Sequence, residues 1–166
     1  MTRKIRCVQL INNLCLVVIT LLLAACNTTT VIKSPTPTAP VSKAKAHYIA
    51  SEISESISGS IIGQGYGESM NPIMGDNTIL IIKPVPFDDL EEGMIVAYRD
   101  KDANRIVHQL VLKVNESGVA KGWNNKKVDN EYVTEDNLIG VILGLMYYDI
   151  KEDENLEQPK YLLRKE

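Results

Sequence analysis

RIVHQLVLKV, residues 105–114, is rich in valine, isoleucine and leucine and carries no glycine or proline. Such a run predicts a β-strand, because branched side chains pack well on a pleated surface. Extended, it puts Ile106, His108 and Leu110 on one face and Val107, Gln109 and Val111 on the other. The runs around it are of the same kind: TILIIK (78–83), MIVAYR (94–99), GVAKGW (118–123) and NLIGVILGLMYY (137–148). Between them lie the breakers PVPFDDLEEG, DKDAN and NESG. No segment of helical period intervenes, which argues against parallel crossover units. Residues 60–150 therefore read as a mainly β, antiparallel domain.

Upstream, Ala46, Ile49, Ile53, Ile57 and Ile61 recur at steps of three and four. That spacing predicts one short amphipathic helix over 46–59, ending near Gly59. His47 at its start reads as a solvated first-turn residue. Residues 26–45, rich in threonine and proline with little to bury, predict an extended tether. Residues 1–25 have the layout of a secretory signal, with Arg3, Lys4 and Arg6 ahead of an apolar run. Leu23-Ala24-Ala25-Cys26 resembles a bacterial lipobox, which implies cleavage before Cys26 and lipidation of that cysteine. The competing reading is an uncleaved membrane anchor, but Asn12 and Asn13 interrupt the apolar stretch. Cleavage would remove Cys7 and Cys15, leaving no pair for a disulfide. The charged stretch 151–166 reads as a tail.

Charge and aromatic content narrow the function. The 166 residues hold 18 basic against 21 acidic side chains, with one Trp and one Phe. A nucleic-acid partner would want a basic face or stacking aromatics, so that class is set aside. Removal of Arg3, Lys4 and Arg6 with the signal takes the net charge from −3 to −6. Anionic headgroups repel such a body, so attachment to the membrane would run through the N-terminal lipid.

One loop carries the chemistry. In GQGYGESMNP, residues 63–72, three glycines open backbone angles closed to other residues, and Pro72 turns Asn71 away from helix. The segment reads as a shaped loop that presents Ser69. A serine becomes a nucleophile only when a base takes its proton and donors meet the oxyanion. His108 is the only histidine in the β region, and its row with Ile106 and Leu110 predicts partial burial. Periodicity by itself gives such a residue the role of a core histidine bonded to a backbone carbonyl.

The order of segments adds a second reading. GESMNPIMGD (67–76), FDDLEEGMIVAYR (87–99), IVHQLV (106–111), KGWNNKKVD (121–129) and NLIGVI (137–142) together resemble the signal peptidase family of membrane-associated serine endopeptidases. The likeness is greatest to the branch of the endoplasmic reticulum, archaea and some Gram-positive bacteria. That branch carries G-x-S-M-x-P and G-D, then G-D-I-V, an H-R pair, and G-D-N-N with a further aspartate. The resemblance spans about residues 65–142 and implies roles position by position. Ser69 matches the nucleophile and His108 the general base. Asp129 matches the aspartate that supports the histidine. Met70, Gly67 and Pro72 fall in the segment that floors the substrate cleft, and Gly67 leaves the oxyanion hole to backbone N–H groups, chiefly that of Ser69. No metal or cofactor is implied. Three positions depart from the pattern: Met94 for the aspartate of G-D-I-V, Trp123 for that of G-D-N-N, and Gln109 for the arginine after the histidine.

The expected function is then a lipid-anchored serine endopeptidase that cleaves signal peptides or propeptides of exported polypeptides outside the cytoplasmic membrane. An extended substrate would pair with a sheet edge, for which TILIIK is a candidate. The alternative is a catalytically impaired relative that binds extended peptides or assists assembly. A self-cleaving relative of the repressor-type serine–lysine proteases fits less well, because His108 stands where those use lysine.

Overall fold

The computed structural model describes residues 34–153. The expectations for the signal, Cys26 and most of the tail lie outside these residues. Among the described residues seven strands form one sheet in the order β1-β2-β7-β3-β4-β5-β6, every pair antiparallel. They are β1 (Ile61–Gln64), β2 (Thr78–Lys83), β3 (Ile95–Arg99), β4 (Arg105–Val114), β5 (Ser117–Lys121), β6 (Tyr132–Val133) and β7 (Leu138–Tyr147). Helix α1 (Lys43–Ser56) precedes them and the short α2 (Ile150–Asp153) follows. The mainly β, antiparallel class with one short leading helix is what the pattern of apolar runs requires. Among the described residues no helix is long and apolar enough to cross a membrane.

The sheet curls. Register shifts interrupt β2–β7 at Ile81/Ile82, β3–β7 at Ala97/Tyr98 and β4–β5 at Leu110/Leu112. Each leaves an extra residue on one strand, which bends it and increases the local twist. Curling gives three apolar clusters. One gathers Phe87, Leu90, Val96, Tyr98, Leu110 and Val133. A second sets Ala46 and Ala50 of α1 against Ile79, Ile81 and Tyr148. The third joins Met70, Met74, Leu80, Ile82 and Ala97.

Two expectations are corrected here. TILIIK is β2, and it is an interior strand bonded to β1 on one side and β7 on the other, so it offers no free edge. Its alternate residues are buried on both faces, which is why it reads as a continuous apolar run. The helix docks by a face that only partly coincides with the expected stripe: Ala46 and Ile57 meet the sheet, but Ile53 does not. Ala46, Ala50 and Ser54 are the buried positions, Ile53 is exposed, and Ile61 belongs to β1. Small residues four apart let the helix backbone come close to the sheet. Ser42 caps the helix at Lys45 N, so it starts at Lys43, inside the expected tether.

The end of that tether is also bound to the body. Pro37 O accepts from Nδ2 of buried Asn77 at 2.8 Å, Thr38 Oγ1 donates to Tyr148 O, and Asp149 N donates to Val41 O. Composition marked the segment as having little apolar surface to bury. It docks by backbone and hydroxyl hydrogen bonds instead.

Candidate active site

Ser69 lies in the turn that connects β1 to β2. The loop is tied internally: Gly67 N donates to Asp76 Oδ1 at 2.7 Å, Asn71 N to Glu68 O, and Met74 N to Met70 O. Gly67 has φ +75°, the left-handed region that favours glycine. A second turn clamps it from outside. Asn124 N donates to Ser69 O at 2.8 Å, Asn124 Nδ2 to Glu68 O, and Trp123 N to Met70 Sδ. Gly122 permits this approach, since a Cβ there would sit 2.7 Å from Ser69 O. From across the loop, Thr36 Oγ1 donates to Asn71 Oδ1.

His108 comes from β4, opposite Val96 of β3. It is buried, as its row with Leu110 predicts, yet its ring is bonded to side chains at both ends. Nε2 lies 2.9 Å from Ser69 Oγ, and Nδ1 lies 2.5 Å from Asp129 Oδ2. The core-histidine expectation, with a backbone carbonyl as partner, is replaced by a serine–histidine–aspartate chain. Asp129 is fixed by its own N–H donating to Ala120 O at the end of β5. Ser69, His108 and Asp129 thus come together from a loop, a strand and a turn far apart in sequence.

The remaining assignments divide. Met70 lines a cavity of about 370 Å³ with Ser69, His108, Tyr66, Met74 and Ile106. Gly67 and Pro72 do not line it. Gly67 spends its N–H on Asp76 and borders a different cleft with Glu68 and Asn71, while Pro72 follows a cis Asn71–Pro72 peptide in the turn behind. Both shape the loop and do not contact the cavity. Among the described residues the Ser69 N–H donates to no protein acceptor, so it is free to meet an oxyanion.

The three departures have separate explanations. Met94 N donates to Glu91 O, Met94 Sδ accepts from Glu91 N, and its side chain packs on the first apolar cluster. Gln109 Nε2 donates to Gly93 O across the same turn. Trp123 leaves its indole half exposed, and its N–H serves the clamp on Met70. Asp129 holds Nδ1 of His108 without a carboxylate at position 123.

One participant carried no signal in the sequence. Tyr98 of β3 is 1% exposed, and its hydroxyl donates to Asp129 Oδ2 at 2.6 Å. Burial, then this hydrogen bond and the charge of Asp129, push the phenol well above its ordinary range. Within MIVAYR it reads as one more apolar strand residue.

No protein-family model matches this chain, and no curated protein matches it. The resemblance to signal peptidases rests on the ordered motifs alone.

Proposed function

We propose that this chain is a serine endopeptidase of signal-peptidase type that acts on exported polypeptides. One observation carries the reading: Ser69 Oγ, both nitrogens of His108 and Asp129 Oδ2 lie in one hydrogen-bonded line, at 2.9 and 2.5 Å. In the proposed reaction Nε2 of neutral His108 takes the hydroxyl proton as Ser69 Oγ attacks a peptide carbonyl. Asp129 accepts from Nδ1, which fixes the tautomer and stabilises the imidazolium. The Ser69 N–H meets the oxyanion. His108 then gives its proton to the departing amine, the C–N bond breaks, and an ester remains on Ser69. Water, deprotonated by the same imidazole, hydrolyses that ester and restores the serine.

The cavity suits an extended peptide. Residues Arg105–His108 line it, and β5 pairs with β4 only from Gln109 onward, so this part of β4 keeps one unpaired backbone edge. Gly63 and Gln64 of β1, an end strand of the sheet, line it as well. Two such edges would hold a substrate strand by main-chain hydrogen bonds, with Met70, Leu80 and Ile82 beneath it.

A lipid on Cys26 is part of the proposal, with the body on the outer side of a bacterial membrane. Mass spectrometry of the mature protein tests it: an acylated Cys26 terminus supports it, and an intact residue 1 contradicts it. The enzymatic reading is tested by cleavage of exported proteins and extended peptides, wild type against Ser69→Ala. Turnover lost with Ser69 supports it. Binding without turnover in the wild type would replace it with the peptide-binding alternative.

A further inference from the structure

The carboxylate that holds His108 is itself held from behind. Tyr98 Oη and His108 Nδ1 converge on the same oxygen of Asp129, at 2.6 and 2.5 Å. The register of the sheet produces this meeting. Val96 pairs with His108 and Tyr98 with Ile106, so Tyr98 lies two residues along β3 on the face that carries His108. The tyrosine ring sits in the first apolar cluster, and only its hydroxyl reaches the polar chain.

We propose that Tyr98 is a positioning residue for the serine–histidine pair: its hydroxyl fixes the Asp129 carboxylate on Nδ1 and sets how strongly that carboxylate favours the imidazolium. The proposal rests on the peptidase reading for its catalytic consequence, but the coupling itself is a property of the three side chains. Without the tyrosine, the oxygen facing Nδ1 would lose one of two donors. Its negative charge would then be less dispersed, and the protonated ring would be favoured. The carboxylate would also be freer to rotate away from Nδ1, which weakens orientation of the base.

Other charged groups face this chain. His108, Tyr98 and Asp129 border a second cleft, of about 650 Å³, with Asp100, Lys101, Lys126, Lys127 and Glu131. Asp100 and Glu131 add to the negative field at the phenol. The three lysines are exposed and their charge is screened by water and salt. Because the phenol is held neutral, it remains a donor throughout the working range of an imidazole base.

The test compares wild type with Tyr98→Phe, which keeps the ring and removes only the donor. The chain has two histidines, so a His47→Gln background leaves a single imidazole to follow by NMR as pH is varied. The Tyr98→Phe midpoint is expected to rise by about half a unit to one unit. In parallel, the rate at which a fluorophosphonate labels Ser69 is expected to fall about tenfold, with its acid limb moved to higher pH. A midpoint and an acid limb equal to wild type would overturn the proposal, even if the variant were less stable. A shifted midpoint in a chain whose Ser69 is never labelled would support the coupling and reject the peptidase reading.

Discussion

Nε2 of His108 lies 2.9 Å from Oγ of Ser69, although 39 residues separate the two in the chain. Neither residue is brought there by local structure. The serine is delivered by a glycine-rich turn between β1 and β2, and the histidine by the half of β4 that pairs with β3 but not with β5. A hydroxyl bonded to an imidazole whose far side meets a carboxylate is the arrangement that general-base activation of serine requires.

In the proposed mechanism Asp129 acts through His108, so its loss should be graded. Asp129→Asn should cost less than loss of Ser69 or His108, by roughly one to two orders of magnitude in kcat. In the wild type, activity should fall on acidification, because an imidazolium cannot take the serine proton. A pH series of kcat/KM on any cleaved peptide reads both effects. An activity that rises into acid would contradict them.

Gly122→Ala should damage the site more than the fold. The added Cβ would lie 2.7 Å from Ser69 O and 2.6 Å from Asn125 Nδ2, so the clamping turn must retreat from the serine. A displacement of that order should lower kcat by roughly tenfold to a hundredfold. Thermal melting together with turnover checks this, and a fully active variant would show that the clamp does not position Ser69.

Trp123→Asp would restore the carboxylate of the family pattern. With Asp129 already on Nδ1, the restored group has no vacant role. Turnover should stay within about threefold of wild type. A large gain would mean that Asp129 alone orients the histidine poorly.

Stability should decline in alkali. Burial raises the folded-state pKa of Tyr98 and, by the same cause, that of Tyr147 above the ordinary 10.0. Below pH 10 both states keep these phenols protonated and their contribution is intact. As pH rises further, the unfolded chain releases protons that the folded chain retains, and unfolding is favoured. Melting temperatures should fall as pH rises past about 10, and Tyr98→Phe should flatten that alkaline part of the curve. An unchanged slope in the variant would contradict the cause.

What the sequence made legible follows from periodicity. Alternation along RIVHQLV put His108 in a row with Leu110, and both are buried. Glycines 63, 65 and 67 with Pro72 marked the loop of Ser69. What it could not reveal depended on register and neighbours. TILIIK looks the same as an edge or an interior strand until its partners are known. The four residues of β1 are too few for a period, and Tyr132–Val133 of β6 fewer still. Tyr98 shares a face with His108 because Val96 pairs with His108, and only that register brings its hydroxyl to the same carboxylate. The strap at residues 36–41 docks through polar bonds, which apolar patterning does not register.

The most direct measurement is the covalent labelling of Ser69 by a fluorophosphonate, located by peptide mass spectrometry, in wild type, His108→Ala and Ser69→Ala. The predicted result is stoichiometric modification of Ser69 in the wild type, none in Ser69→Ala, and labelling slowed by on the order of a thousandfold or more in His108→Ala. Equal labelling of Ser69 with and without the imidazole would contradict activation of the serine by His108.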